Sequence, residues 1–218
     1  MKRLLVIILF VVNSSLYAQN IEVIPWFGRS YLFDFEEETP HFNSDYKTGL
    51  VYGGSIGVSD IKFSDMNLRL IFGFQRYSNE LVVGSGGLGG HSTTELDVDK
   101  SVLTIGVYPF KRKLFDKFDF ELGVEYSRLV REHYSGRDFG WLANEYWENQ
   151  LDKDEKQYSA QKYWGLGMRI VYYHSLLERL NLLIQYSSVY GFSGEFVGLN
   201  TEVKSFKQAF GVGLSRAF

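Results

Sequence analysis

Cysteine is absent from the 218 residues, proline occurs three times, and no apolar run long enough to span a bilayer as a helix follows residue 12. Each absence excludes something. Without cysteine there is no disulfide framework, no thiolate metal site and no cysteine nucleophile, so the fold is held by a core or by a closed hydrogen-bonded ladder. Few prolines leave the backbone donors available for long ladders. The missing apolar run excludes a helical membrane protein, but not one that crosses with strands. Excess positive charge is lacking too: the formal charge is −3, which removes nucleic acid as a natural partner.

Aromatics and glycine are what the chain has in plenty: Tyr 15, Phe 18 and Gly 22. They are arranged with a period of two. In the closing stretch Phe206, Phe210, Val212, Leu214 and Phe218 share one parity, while Ala209, Gly211, Gly213, Ser215 and Ala217 share the other. A strand wetted on one side would carry Lys, Glu and Thr on its polar face. Here the second face is small instead of charged, which predicts a narrow barrel whose bulky side chains meet lipid and whose small ones fill the bore. The same alternation recurs over 21–33, 50–58, 66–75, 102–108, 118–127, 158–172 and 182–192, with Ile24 and Trp26 blurring the first segment. With the terminal strand that makes eight.

The connections alternate as well. Residues 60–65, 110–116 and 174–180 read as tight turns, and 34–45, 79–94, 133–156 and 193–203 as long polar loops. Short links on one side and long ones on the other predict an all-β, eight-stranded antiparallel transmembrane barrel with periplasmic turns and extracellular loops. An even strand number and full closure leave no edge unpaired in lipid. A soluble barrel of lipocalin type is the architectural rival, and it would expose the glycine face to water.

The N-terminus adds a compartment. Met1-Lys2-Arg3, the apolar block Leu4 to Val12 and the small Ala18 read as a secretory signal peptide over 1–18, followed by one barrel domain over 19–218. Losing Lys2 and Arg3 with that leader takes the charge from −3 to −5.

From IEVIPWFGRSY through SVLTIGVYPF to AFGVGLSRAF the chain resembles the small eight-stranded outer-membrane barrels of Gram-negative bacteria, the OmpA/OmpX-like group. The resemblance implies a structural or interaction protein of the bacterial outer membrane. Its surroundings would be outer-membrane lipid and lipopolysaccharide, and an envelope protein partner would be met through the outer loops. It also implies that Phe218, as a C-terminal aromatic, is the signal read by the barrel-assembly machinery.

Candidate functional residues fall into four sets. Glu22, Arg69, Glu121, Glu125, Arg169 and Lys207 lie on the small face and are expected to pair with one another in the lumen, closing it, since an isolated charge there is costly; a narrow ion path is the sharper reading. His133 and Ser135, two apart on a strand, resemble the His-x-Ser motif of outer-membrane lipid A deacylases, giving a hydrolase as the alternative function. Counting from Phe118 puts His133 on the lumen side, whereas a lipid hydrolase needs it facing the outer leaflet, and a bulge near Leu129 would reverse the count. Phe139, Trp141, Tyr146 and Trp147 make an aromatic outer-loop surface for a cap or a partner protein. The scattered His41, His91 and His174, the run Gly84 to Gly90, and the charged stretches 36–38 and 152–156 read as solvated loop. No cofactor or metal site is expected, and catalysis is not the leading reading.

Overall fold

The computed structural model describes residues 20–34, 42–46, 49–63, 66–87, 90–115, 118–140, 144–149, 160–193 and 203–218. It is built of β1 (Asn20–Asp34), β2 (Phe42–Tyr46), β3 (Gly49–Phe63), β4 (Met66–Gly87), β5 (Gly90–Leu114), β6 (Phe118–Gly140), β7 (Asn144–Asn149), β8 (Lys162–Leu177), β9 (Leu180–Gly191) and β10 (Val203–Ala217), all paired antiparallel. Eight of these close a ring in the order β1, β3, β4, β5, β6, β8, β9, β10, with β10 returning to β1. The short β2 and β7 stand outside it, pairing with the far ends of β4 and β6. The fold is an eight-stranded antiparallel barrel.

Its dimensions follow from register. Paired residues lead once round the ring from Ile21 through Val58, Leu70, Val107, Val124, Leu166, Tyr190 and Phe206 to Tyr31, ten residues further along β1. A stagger of that size over eight strands tilts them roughly 40° to the axis and leaves an interior about as wide as its own side chains can fill. The path keeps to the outward parity of each strand, and Val107, Val124 and Leu166 on it are exposed, while Val58 and Leu70 are covered by their neighbours.

That face is what a soluble protein avoids. Phe27 is 68 % exposed, Leu50 64 %, Leu166 53 % and Val212 42 %, while Gly211, Gly213 and Ser215 between the last strand's apolar residues are buried. Large residues out and small residues in make this a membrane-spanning barrel and not a lipocalin-type one. Aromatics band both ends of the apolar zone: Tyr126 against Trp164 at 4.8 Å and Tyr31 against Phe206 at 6.3 Å on the loop side, Phe118 against Tyr172 at 5.2 Å and Phe110 against Phe120 at 6.5 Å on the turn side.

Several expectations need correcting. The stretches 79–94 and 133–156 do not begin as loops. β4 and β5 stay in register up to Gly87 opposite Gly90, so the glycine run ends a hairpin, and β6 runs on to Gly140 with β7 beside it. Strand-forming residues sustain the ladder there, Leu81-Val82-Val83 against Glu95-Leu96 and Thr94. Ile24 and Trp26, which disturb the period in the sequence, face inward with Ile24 fully buried. Pro25 between them pairs with β3, and the β10 ladder skips Ile24 and Pro25, as a residue without an N–H requires.

Candidate functional site

Two layers of side chains fill the lumen, and each is assembled from several strands. Near the turn end, Arg69 of β4 reaches across to β1 and β6. Its Nη2 donates to Glu22 Oε1 at 2.9 Å, and its Nη1 lies 3.1 Å from Glu121 Oε2, an ion pair without hydrogen-bond alignment. Arg169, directly opposite Glu121 in the β6–β8 ladder, adds a second cation 3.7 Å from the same oxygen. Tyr173 donates to Glu22 Oε1 at 2.9 Å and accepts from Arg69, and Arg169 donates to Gln185 of β9. All four charged residues are at most 2 % exposed. The chain folds this way locally because each charge sits among small or apolar residues of inward parity: Glu22 lies over Gly57, and Glu121 is flanked by Gly123.

Between the layers Tyr108 lies across Gly106, Gly123 and Gly167. A Cβ on any of the three would run into its ring or hydroxyl, so three adjacent strands carry glycine where one tyrosine needs a floor. The Arg169 guanidinium is 5.3 Å from the Tyr108 ring centre, and the Tyr108 hydroxyl donates to Glu125. Above it, Ser55, Gly73, Thr104, Ser187 and Ala209 border a chamber of about 50 Å³, room for a few water molecules and for no solute.

The loop-side layer is aromatic and cationic. Tyr77 and Tyr163 pack with Val51 and Val102, with Trp26 and Leu129 against them. Lys207 lies 4.5 Å and 4.4 Å from the two tyrosine ring centres, and Lys100 5.3 Å and 5.5 Å. Of the six lumen residues read from the sequence, Glu22, Arg69, Glu121 and Arg169 therefore meet in one cluster. Glu125 and Lys207 do not join it: Glu125 takes its hydrogen bond from a tyrosine, and Lys207 belongs to the tyrosine layer. Sequence reasoning misses Lys100, Tyr77, Tyr163 and Tyr173, whereas Tyr108 shares the inward parity of Val102, Thr104 and Gly106. Lys100 sits in a charged run, yet Val98 and Val102 share its parity and are fully buried, which is the signal that it faces inward.

His133 is not on the lumen side, which corrects the count from Phe118. The β5–β6 register slips between Ser101 and Val102, so that Arg131 opposes Ser101 while Leu129 opposes Val102 and Val130 is the extra residue. Past this bulge the parity of β6 reverses: Val130 is 51 % exposed, Glu132 is buried, and His133 and Ser135 share the outer face, opposite Asp99 and Asp97. At the other end Phe218 is 67 % exposed, with the Arg216 guanidinium 5.5 Å from its ring centre. Phe139 lies in β6 and Tyr146 and Trp147 in β7, where Trp147 opposes Gly136 and Tyr146 opposes Arg137. Their side chains, Trp141, His41, the stretches 36–38 and 152–156 and the leader 1–18 lie outside the described residues. His174 is exposed beside Tyr172, and among the described residues no group of three His, Asp or Glu is placed to hold a metal.

No protein-family model matches the chain, and no curated protein matches it. Among solved structures it is similar to Neisserial surface protein A, with 14 % identity over 91 % of this chain and 97 % of that one and a TM-score of 0.40. It is also similar to the attachment invasion locus protein Ail of Yersinia pestis, with 10 % identity, coverages of 91 % and 99 % and a TM-score of 0.41. A third is the outer membrane protease OmpT of Escherichia coli, with 7 % identity, coverages of 92 % and 97 % and a TM-score of 0.40. Nothing about activity follows from likenesses of that degree.

Proposed function

We propose that this chain is a sealed, non-catalytic barrel of a bacterial outer membrane, exported behind a cleaved leader. It serves the envelope as a structural or interaction protein. One observation carries the reading: Arg69 ties β1 to β6 across the bore through Glu22 and Glu121, with Arg169 completing the closure from β8. A solute would have to part four buried charges, and an ion would have to replace their mutual compensation, so the lumen holds the wall together instead of conducting. What remains for function is the outside. Lipopolysaccharide surrounds the loop-side half, an envelope protein meets the strands and loops beyond the membrane, and the assembly machinery reads Phe218.

Planar-bilayer recording of the purified full chain is the direct test. No current steps above the bare-bilayer baseline are expected over the range of voltages the bilayer withstands. Discrete steps in the wild type would replace this reading with an ion path.

A second reading gains support from the bulge at Val130, which turns His133 and Ser135 toward the outer leaflet, where a lipid hydrolase would need them. Mass spectrometry of lipid A from cells expressing wild type or Ser135→Ala tests it. On the leading reading the acylation pattern is the same in both; loss of a deacylated species with the substitution would install the hydrolase.

A further inference from the structure

The bulge does more than reverse a strand. It sets Arg131 on the outer face beside Val130 and brings it into one cross-strand row with Ser101 and Arg76, since Arg76 pairs with Ser101 and Ser101 with Arg131. Two arginines thus flank a serine whose short side chain leaves a gap between them. The gap is a cleft of about 240 Å³ on the outer wall of β4, β5 and β6, lined by Arg76, Asp99, Ser101, Arg131 and His133. Neighbouring strands stand about 4.8 Å apart, so the two arginine backbones are roughly 10 Å apart, a span from which both guanidinium groups can close on one tetrahedral anion. Asp99 supplies a single negative charge, 3.7 Å from Arg76, with both side chains substantially exposed. An ion pair of that kind is weak and readily exchanged, and the cleft keeps a net positive charge.

Depth decides which anion it meets. The Tyr126–Trp164 pair marks the loop-side interface. Tyr126 opposes Ile105, and Ser101 lies four residues further along β5, roughly 10 Å nearer the loops after allowing for strand tilt. Just beyond an aromatic girdle lie the headgroups of the surrounding lipid. We infer that Arg76, Arg131 and His133 form a binding site for a phosphate monoester carried by an outer-leaflet glycolipid, that is, for a phosphate of lipid A. Arginine's planar fork matches phosphate oxygens two at a time, Ser101 leaves the space they need, and His133 closes the loop-side wall.

The inference rests on the outer-membrane reading, which fractionation of the same cells tests separately. The experiment is binding of the detergent-purified full chain to bisphosphorylated lipid A and to its dephosphorylated form, followed by native mass spectrometry. Wild type, R76Q/R131Q and S101D are compared, and inorganic phosphate is added as competitor. The wild type should prefer the phosphorylated lipid at least tenfold. R76Q/R131Q, and independently S101D, which puts a carboxylate into the cleft while keeping both arginines, should each remove that preference. Heat-shifted gel mobility establishes that each variant is folded. Equal binding of the two lipids, or a preference unchanged in both variants, overturns the inference. Displacement of lipid by millimolar inorganic phosphate overturns the lipid assignment and gives the site to a soluble phosphate.

Discussion

Replacing Arg69 with alanine is expected to destabilise the barrel by about 3–5 kcal/mol, the largest effect of any single lumen substitution, because it leaves two carboxylates buried without their shared cation. Glu22 is fully buried and Glu121 loses one of its two arginines, so neither can recover its hydration without water entering the bore. The hydroxyl of Tyr173 loses its donor as well. Unfolding of lipid-reconstituted protein in urea, followed by the heat-dependent shift in gel mobility, reads the loss directly. Arg69→Met combined with Glu22→Gln should regain most of it, since one buried charge of each sign is then removed together and Glu121 keeps Arg169 as its partner. If Arg69→Ala unfolds at the wild-type urea concentration, the cluster does not hold the wall together. The same variant belongs in the planar bilayer, where current that appears only with Arg69→Ala would show that this cluster seals the bore.

Such a cluster is legible in the sequence through parity. Glu22, Arg69, Glu121 and Arg169 each fall on the inward side of a two-residue alternation, blurred only beside Glu22 by Ile24 and Trp26, and a closed narrow barrel forces residues of that side into the same small volume. Eight strands, their closure and the lipid-facing side follow from the same period. The alternation fails where both faces become polar. Over Arg128-Leu129-Val130-Arg131-Glu132-His133 no bulky face exists to keep count, and the single extra residue at Val130 shows only as two consecutive apolar side chains. That is why His133 counts to the lumen in the sequence and sits on the outer face in the fold. The extent of β4, β5 and β6 escaped for a related reason: beyond the membrane their outward residues, such as Glu80, Asp97 and Glu95, look like loop, although the backbone stays paired. Tyr77, Tyr163 and Tyr173 escaped because tyrosine is equally at home in an interfacial girdle. Tyr108 has the inward parity of Val102, Thr104 and Gly106, but the three glycines it covers on three strands are a tertiary fact.

Lipid contact, the premise under all of this, has a depth-dependent signature that no soluble barrel would reproduce. Val212 sits on the outer face of β10 opposite Ile184, between Phe210 and Leu214, and is 42 % exposed; Leu50, at the start of β3 on the loop side, is 64 % exposed. In water both positions are surface, and arginine at either would be nearly neutral. In a bilayer Val212→Arg places a guanidinium close to the midplane and should destabilise by about 2–4 kcal/mol, whereas Leu50→Arg, at the interface, should fall within about 1 kcal/mol of wild type. The long arginine stem helps only the second, because its charge has a short way to go to reach the headgroups. Urea midpoints of the two variants in lipid vesicles measure the difference, and repeating them in vesicles of thinner hydrocarbon should shrink the penalty at Val212 while leaving Leu50 unchanged. Equal penalties at the two sites would mean that the bulky face does not meet hydrocarbon. The arrangement of the two faces would then need another explanation, since a barrel in water has no reason to place its glycines inside and its phenylalanines out.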